Sequence, residues 1–168
     1  LTEAAAQGHM VAQYNLGLVY HEAQGVARNV DRAIELYTQA VRGGCALAYV
    51  NLGTLLEGER RDVDGAEKAY RAAIEADPGH ANAHNHLGRL LQNERQDVDG
   101  AIEAYRAAIK ADPGYAQAYY DLGVLLQCER QDVDGAIEAY RAAIEANPGL
   151  AQAHNNLGYL LEHERKDM

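Results

Sequence analysis

The densest cluster of metal-capable side chains is His80, His84 and His86, three histidines within seven residues. His80 and His84 stand four apart, a spacing that puts two imidazoles on one helix face and suits a transition metal. A tetrahedral site needs four ligands, and no cysteine or carboxylate completes the set nearby in sequence. His80 also falls in a turn, His84 at a packing position and His86 on another face, so no metal is expected. Asp97-Val98-Asp99-Gly100 resembles part of a calcium loop. Its first ligand position would hold Arg95, and no bidentate glutamate follows at the right distance, so a helix-capping turn is expected instead. Nucleophilic chemistry lacks its residues: serine is absent, and threonine occurs only as Thr2, Thr38 and Thr54. No phosphate loop, nucleophile elbow, zinc-protease motif or dinucleotide fingerprint is present. The sequence therefore predicts no enzyme and no cofactor.

The bulk composition points the same way. The chain has 168 residues, 48% hydrophobic, with 11 Tyr and no Phe or Trp. Much of the apolar fraction is alanine, which favours closely packed helices. The net charge of -10 weighs against nucleic acid, because a phosphate binder needs clustered lysine and arginine. It also weighs against an anionic membrane surface. No apolar run reaches the ~18 residues that a membrane helix needs. Cys45 and Cys128 lie in different repeats and read as semi-buried free thiols rather than a disulfide framework. That usage favours the cytoplasm without fixing the compartment.

Self-similarity is the strongest signal. Leu-Gly pairs recur at Leu16-Gly17, Leu52-Gly53, Leu87-Gly88, Leu122-Gly123 and Leu157-Gly158. A second segment is nearly copied: Gly65 to Gly79, Gly100 to Gly114 and Gly135 to Gly149. Each unit reads as two helices. Helix A of one unit is expected over about 81–93, with Ala83, Leu87, Leu90 and Leu91 as its apolar stripe. Helix B is expected over about 99–111, with Ala101, Ile102, Tyr105, Ala108 and Ile109 as its stripe. Asp97 or Asp99 caps helix B, and acidic charge suits that end of the helix dipole. Asp112-Pro113-Gly114 ends it: the residue before proline disfavours helix, and the glycine is expected to take a left-handed turn. A lone hairpin cannot bury both faces, whereas stacked hairpins cover one another. A glycine inside a helix costs about 1 kcal/mol, so its recurrence implies a packing reason.

Leu87-Gly88, Leu91, Ala101, Tyr105, Ala108 and Pro113 resemble the tetratricopeptide repeat pattern. So do Leu52, Gly53, Leu56, Ala66, Tyr70, Ala73 and Pro78, and Leu122, Gly123, Leu126, Ala136, Tyr140, Ala143 and Pro148. Two departures stand out. The period is 35 residues rather than the family's 34, and the usual helix A aromatic alternates as Tyr49, His84, Tyr119 and His154. The first unit, Ala4 to Val41, is similar to a Sel-one-like repeat, with a longer inter-helix loop containing Gly25-Val26 and a Gly43-Gly44 exit turn. The resemblance implies an all-α fold, a right-handed solenoid of antiparallel helix hairpins. Residues 1–45 are expected to hold the Sel-one-like repeat with the tail of a preceding helix, residues 46–80, 81–115 and 116–150 three tetratricopeptide repeats, and residues 151–168 the first helix of another.

The resemblance also implies scaffolding and protein or peptide binding in a concave groove lined by the A helices. Helix B hardly varies between copies, whereas helix A varies off its packing positions. Six residues before the glycine lie Leu47, Asn82, Gln117 and Gln152; three before lie Val50, Asn85, Tyr120 and Asn155. One after lie Thr54, Arg89, Val124 and Tyr159. Four and five after lie Glu57 and Gly58, Gln92 and Asn93, Gln127 and Cys128, and Glu162 and His163. The candidate groove residues are Asn82, Asn85, Arg89, Gln92, Asn93, Gln117, Tyr120, Gln127, Gln152, Asn155 and Tyr159. Amide side chains offer both a donor and an acceptor to a peptide backbone, and tyrosine adds contact area at low entropy cost. Asn15, Asn51, His86, Asp121 and Asn156, just before the Leu-Gly pairs, read either as an asparagine ladder or as polar groups satisfied within their own hairpin. Arg89 is the only basic residue in the groove, too few for a clamp on chaperone C-terminal carboxylates. A repeat arm of a larger enzyme and a self-assembling array are the alternative readings. An unfinished repeat at Met168 is expected to favour end-to-end contacts.

Overall fold

The computed structural model describes residues 2–164, excluding the side chains of His163 and Glu164. Leu1 and the expected unfinished flank at Met168 lie outside the described residues. The chain divides into two compact units, Leu1–Pro78 and Gly79–Met168. In the first, α1 (Thr2–Ala6) packs on α2 (Met10–His21), followed by α3 (Val30–Arg42), α4 (Leu47–Gly58) and α5 (Val63–Ala76). In the second, α6 (Ala81–Leu90) passes through a single π turn (Leu91–Arg95) into α7 (Val98–Ala111). Then come α8 (Ala116–Glu129), α9 (Val133–Ala146) and α10 (Ala151–Glu164). The described residues contain no strand. The pairs α2–α3, α4–α5, α6–α7 and α8–α9 are helix hairpins, the architecture that the repeats predict.

One contact explains the Leu-Gly pairs. Tyr37, Tyr70, Tyr105 and Tyr140 of the B helices have no exposed surface. Each ring packs against the glycine of its own hairpin's A helix through Cε1 and Cδ1. A Cβ on Gly17, Gly53, Gly88 or Gly123 would stand 2.7, 2.5, 2.6 or 2.7 Å from a ring carbon. The glycine's absent side chain is thus a seat for the largest buried group of each repeat, and the ring's burial offsets the helix-propensity cost. Gly158 has the same register, but nothing lies within 4 Å of its would-be Cβ.

The loop between the helices reuses one aspartate twice. The Asp97 N–H donates to Leu91 O at 2.9 Å and closes helix A. Its carboxylate then accepts from the Gly100 N–H at 3.0 Å and opens helix B. Asp62 and Asp132 do the same for Gly65 and Gly135. Asp97 is therefore the cap, while Asp99 pairs with Arg130 on the next hairpin's loop. A Cβ on those glycines would meet the capping carboxylate as it now lies, although in the first hairpin Asn29 caps the N–H of Arg32 in the same register.

The left-handed turn falls elsewhere than expected. Gly114 is not in that conformation; its N–H donates to Asp112 Oδ1 at 2.9 Å, and Asp112 takes the extended backbone that a following proline favours. Left-handed φ belongs instead to Arg61, Gln96 and Gln131 in the A–B loops, at 56°, 55° and 53°. In the first unit Ala23 and Gly25 take it in the longer loop and Gly44 in the exit turn. Of the two thiols, Cys45 is buried and Cys128 is exposed rather than semi-buried. No helix of the described residues is long and apolar enough to cross a membrane.

Candidate binding face

The A helices of each unit are joined directly by polar side chains. In the first unit the Asn51 amide on α4 donates to Tyr14 Oη on α2 at 3.4 Å. In the second, Asn85 on α6 donates to Asp121 Oδ2 on α8 at 3.0 Å, and Gln117 donates to Oδ1 of the same carboxylate at 2.9 Å. Both bridges connect the position three before one glycine to the position two before the next. Asn51 and Asp121, just before their Leu-Gly pairs, therefore act between hairpins rather than within one. Asn156 shows the same behaviour: its amide donates to Tyr140 Oη on the previous hairpin at 3.2 Å.

The electrostatics follow from burial. Asp121 is desolvated, which raises its pKa, and the Asn85 and Gln117 amides partly offset the rise. Burial pushes the Tyr105 hydroxyl up strongly, with the Asp121 charge adding to the shift. Burial likewise takes Tyr140 to about 12. His86, two residues before Gly88, is pushed down to about 4 by desolvation, helped by Arg89 and His80.

The expected groove residues separate into two groups. Asn85 is only 2% exposed, and its Oδ1 is buried without a hydrogen-bond partner. Gln92 and Gln127 each accept a hydrogen bond from the buried tyrosine of their own hairpin, Tyr105 and Tyr140, at 2.8 Å. Tyr120 is half-buried, its ring centroid 5.9 Å from that of Tyr140. These four hold the helices together. Asn82 is half-buried and donates to Tyr115 Oη at 3.2 Å. Arg89, Asn93, Gln117, Gln152, Asn155 and Tyr159 are exposed. Asp121 is the member that sequence reasoning left out. Its signal was a charged residue at a position that is Asn in three other copies.

The family model described as the tetratricopeptide repeat matches residues 22–81, 55–116, 87–151 and 127–167. The chain belongs to the tetratricopeptide repeat family. Among solved structures this repeat array is similar to YrrB, described as a tetratricopeptide repeat protein with an unusual peptide-binding site. The two are 25% identical with a TM-score of 0.69, covering 89% of this chain and 75% of that one. It is also similar to c5321, a protective antigen of uropathogenic Escherichia coli strains displaying a Sel-one-like repeat fold. That match has 27% identity and a TM-score of 0.80, and it covers 96% of this chain but 36% of that one. A Sel1 repeat protein from Oxalobacter formigenes is 29% identical, with a TM-score of 0.68 over 90% of this chain and 64% of that one. Among curated proteins, none matches the sequence. Both kinds of neighbour accord with a tetratricopeptide array that carries a Sel-one-like repeat at its front.

Proposed function

We propose that the chain is a non-catalytic protein-interaction scaffold that binds an extended peptide across the A helices of residues 79–164. The observation that carries this reading is the exposed amide and aromatic set Gln117, Gln152, Asn155 and Tyr159, at variable positions above a buried layer that is already hydrogen-bonded. Gln152 and Asn155 lie three apart, so they share one face of α10. Amides there pair with a peptide backbone without demanding a particular sequence, and Tyr159, 57% exposed, supplies contact area. The peptide-binding site described for YrrB lends the same class of ligand to this reading.

The test is a selection from a displayed peptide library with the wild-type chain, repeated with Gln152→Ala and Asn155→Ala combined. Selected peptides should bind the variant at least ten-fold more weakly while its helicity and melting temperature stay unchanged. Equal binding by both proteins would remove this face as the site. We also infer end-to-end contacts at high concentration, since α10 carries the exposed Tyr159. Light scattering should show mass rising with concentration, and a constant monomer mass would eliminate them.

A further inference from the structure

The first unit carries a different surface at the same register. Six residues before their glycines, α2 and α4 present Val11 and Leu47, which are 58% and 59% exposed. The corresponding residues of the second unit are Asn82, Gln117 and Gln152. The Asn51–Tyr14 bond joins α2 and α4 three residues after Val11 and four after Leu47, so each apolar group lies within about one turn of that shared contact. Neither is needed by the core, and an exposed valine and leucine paired on facing helices invite an apolar partner.

The other end of the same face is acidic. Glu57, four residues after Gly53, accepts the Tyr70 hydroxyl at 2.7 Å with Oε2. Glu22, five after Gly17, is exposed and adds to the upward shift of the Tyr37 hydroxyl. Among the described residues neither carboxylate is in an ion pair. The nearby Arg28 is committed to Glu59 at 2.6 Å. In α6 and α8 these positions hold the neutral Gln92, Asn93, Gln127 and Cys128, and only α10 returns to an acid, Glu162. Ten residues of helix separate Leu47 from Glu57, about 15 Å at 1.5 Å per residue. An extended chain spans that distance in four to five residues at about 3.3 Å each.

We propose that the A-helix face of α2 and α4 docks a cationic amphiphilic segment. Its apolar side chains rest on Val11 and Leu47, and a lysine or arginine four to five residues away meets Glu22 and Glu57. Charge complementarity selects this occupant over a second copy of the chain, whose net charge of -10 would repel the acidic end. The inference rests on the reading of the chain as a peptide-binding scaffold, but not on the amide face of the second unit.

The test uses a labelled twelve-residue peptide with two leucines followed, five residues on, by two lysines. Two control peptides replace the leucines with serine or the lysines with glutamate. Fluorescence anisotropy is read on the full chain, on Val11→Asn with Leu47→Asn, on Glu22→Gln with Glu57→Gln, and on Gln152→Ala with Asn155→Ala. Glutamine at 57 keeps an acceptor for Tyr70, as Gln92 and Gln127 do for their tyrosines, so the fold is retained. The leucine–lysine peptide should lose at least ten-fold in affinity on each of the first two variants and with either control sequence, and nothing on the third. Equal binding of the serine control would mean attraction by charge alone, and unchanged binding to Val11→Asn with Leu47→Asn would place the peptide elsewhere. Either result overturns the proposal. Loss only on the Gln152/Asn155 variant would also overturn it while leaving the amide face standing.

Discussion

Six residues before the glycine of a Leu-Gly pair, α2 and α4 carry Val11 and Leu47, whereas α6, α8 and α10 carry Asn82, Gln117 and Gln152. Four residues after the glycine, Glu57 in α4 stands against Gln92 and Gln127 in α6 and α8, while α2 carries His21 and α10 carries Glu162. Beneath these differences the hairpins are built alike. Each seats a fully buried tyrosine on a glycine, and the three regular loops end on an aspartate cap. The comparison teaches that the repeat fixes a packing layer with almost no freedom and leaves the A-helix face free to differ. A surface residue there costs little to change, so the two units can serve two ligand chemistries on one scaffold.

The largest expected effect tests the shared half of that comparison. Gly53→Val and Gly88→Val should each cost about 3 kcal/mol, the upper end of overpacking, because the new side chain must displace a ring with no exposed surface. Urea unfolding of the two variants should give matching losses. A much smaller loss in one unit would mean that the hairpins are not equivalent. Gly158→Ala is the internal control with the opposite sign: with open space at its Cβ it should gain up to ~1 kcal/mol of helix propensity.

Acid separates the units next. His86 titrates at about 4 in the folded chain, below its ordinary 6.5, because burial disfavours the imidazolium. Between those two values the unfolded chain binds more protons than the folded one, so stability falls as pH drops from 6.5 to 4. The ceiling is ~3 kcal/mol for a shift of this size, less whatever partial exposure screens. Asp121 acts in the opposite sense: its raised pKa favours the protonated form in the folded chain, so it adds stability as pH falls through its titration range. Hydrogen exchange across this pH range should show protection dropping in α6 for the wild type and not for His86→Gln. A pH profile unchanged by that substitution would assign the acid sensitivity to other groups.

A smaller effect sharpens the difference at the buried hydroxyls. Tyr70→Phe removes a donor to the Glu57 carboxylate and Tyr105→Phe a donor to the Gln92 amide, whereas Tyr140→Phe removes both a donor to Gln127 and the acceptor of the Asn156 amide. Bonds to charged groups contribute roughly 1.5–3 kcal/mol and neutral ones about 1 kcal/mol. Tyr70→Phe should therefore destabilise more than Tyr105→Phe in thermal unfolding. Equal losses would show that the carboxylate of the first unit is no better a partner than an amide.

What the sequence reveals here depends on how local the cause is. The Asp-Val-Asp-Gly loops act over a few residues, and their capping role can be read from the order of residues alone, whereas the glycine of each Leu-Gly pair seats a ring on the following helix and the exit glycine Gly114 is not left-handed as its motif suggests. The choice of Asp97 over Asp99 as cap needs the coordinates, because both spacings suit a first turn. The burial of Asn85 and the commitment of Gln92 and Gln127 to tyrosine hydroxyls were not legible. Both depend on what a neighbouring helix offers to that face. Val11 could have been found by carrying the register of the later repeats back into the first unit, across its three-residue-longer loop. Nothing in the sequence explains why Leu91–Arg95 forms a π turn while the similar segment at the end of α8 remains α-helical.

The smallest expected effect bears on that π turn. Arg61, Gln96 and Gln131 hold φ of 56°, 55° and 53°, a conformation that costs a side-chain-bearing residue about 1–2 kcal/mol. Glycine removes that strain but gives back roughly 0.5–1 kcal/mol in unfolded-chain entropy, so each substitution to glycine should stabilise by no more than about 1 kcal/mol. All three residues are exposed, and Gln96 ends the π turn through its backbone N–H, which glycine keeps, so no lost side-chain contact offsets the gain. Because φ is nearly the same whether or not the preceding helix ends in a π turn, Gln96→Gly should raise the melting temperature as much as Arg61→Gly and Gln131→Gly. A distinctly larger gain at Gln96 would mean that the π turn and the left-handed residue share one strain, and that the loop of residues 91–97 differs in scaffold from the loops at Arg61 and Gln131.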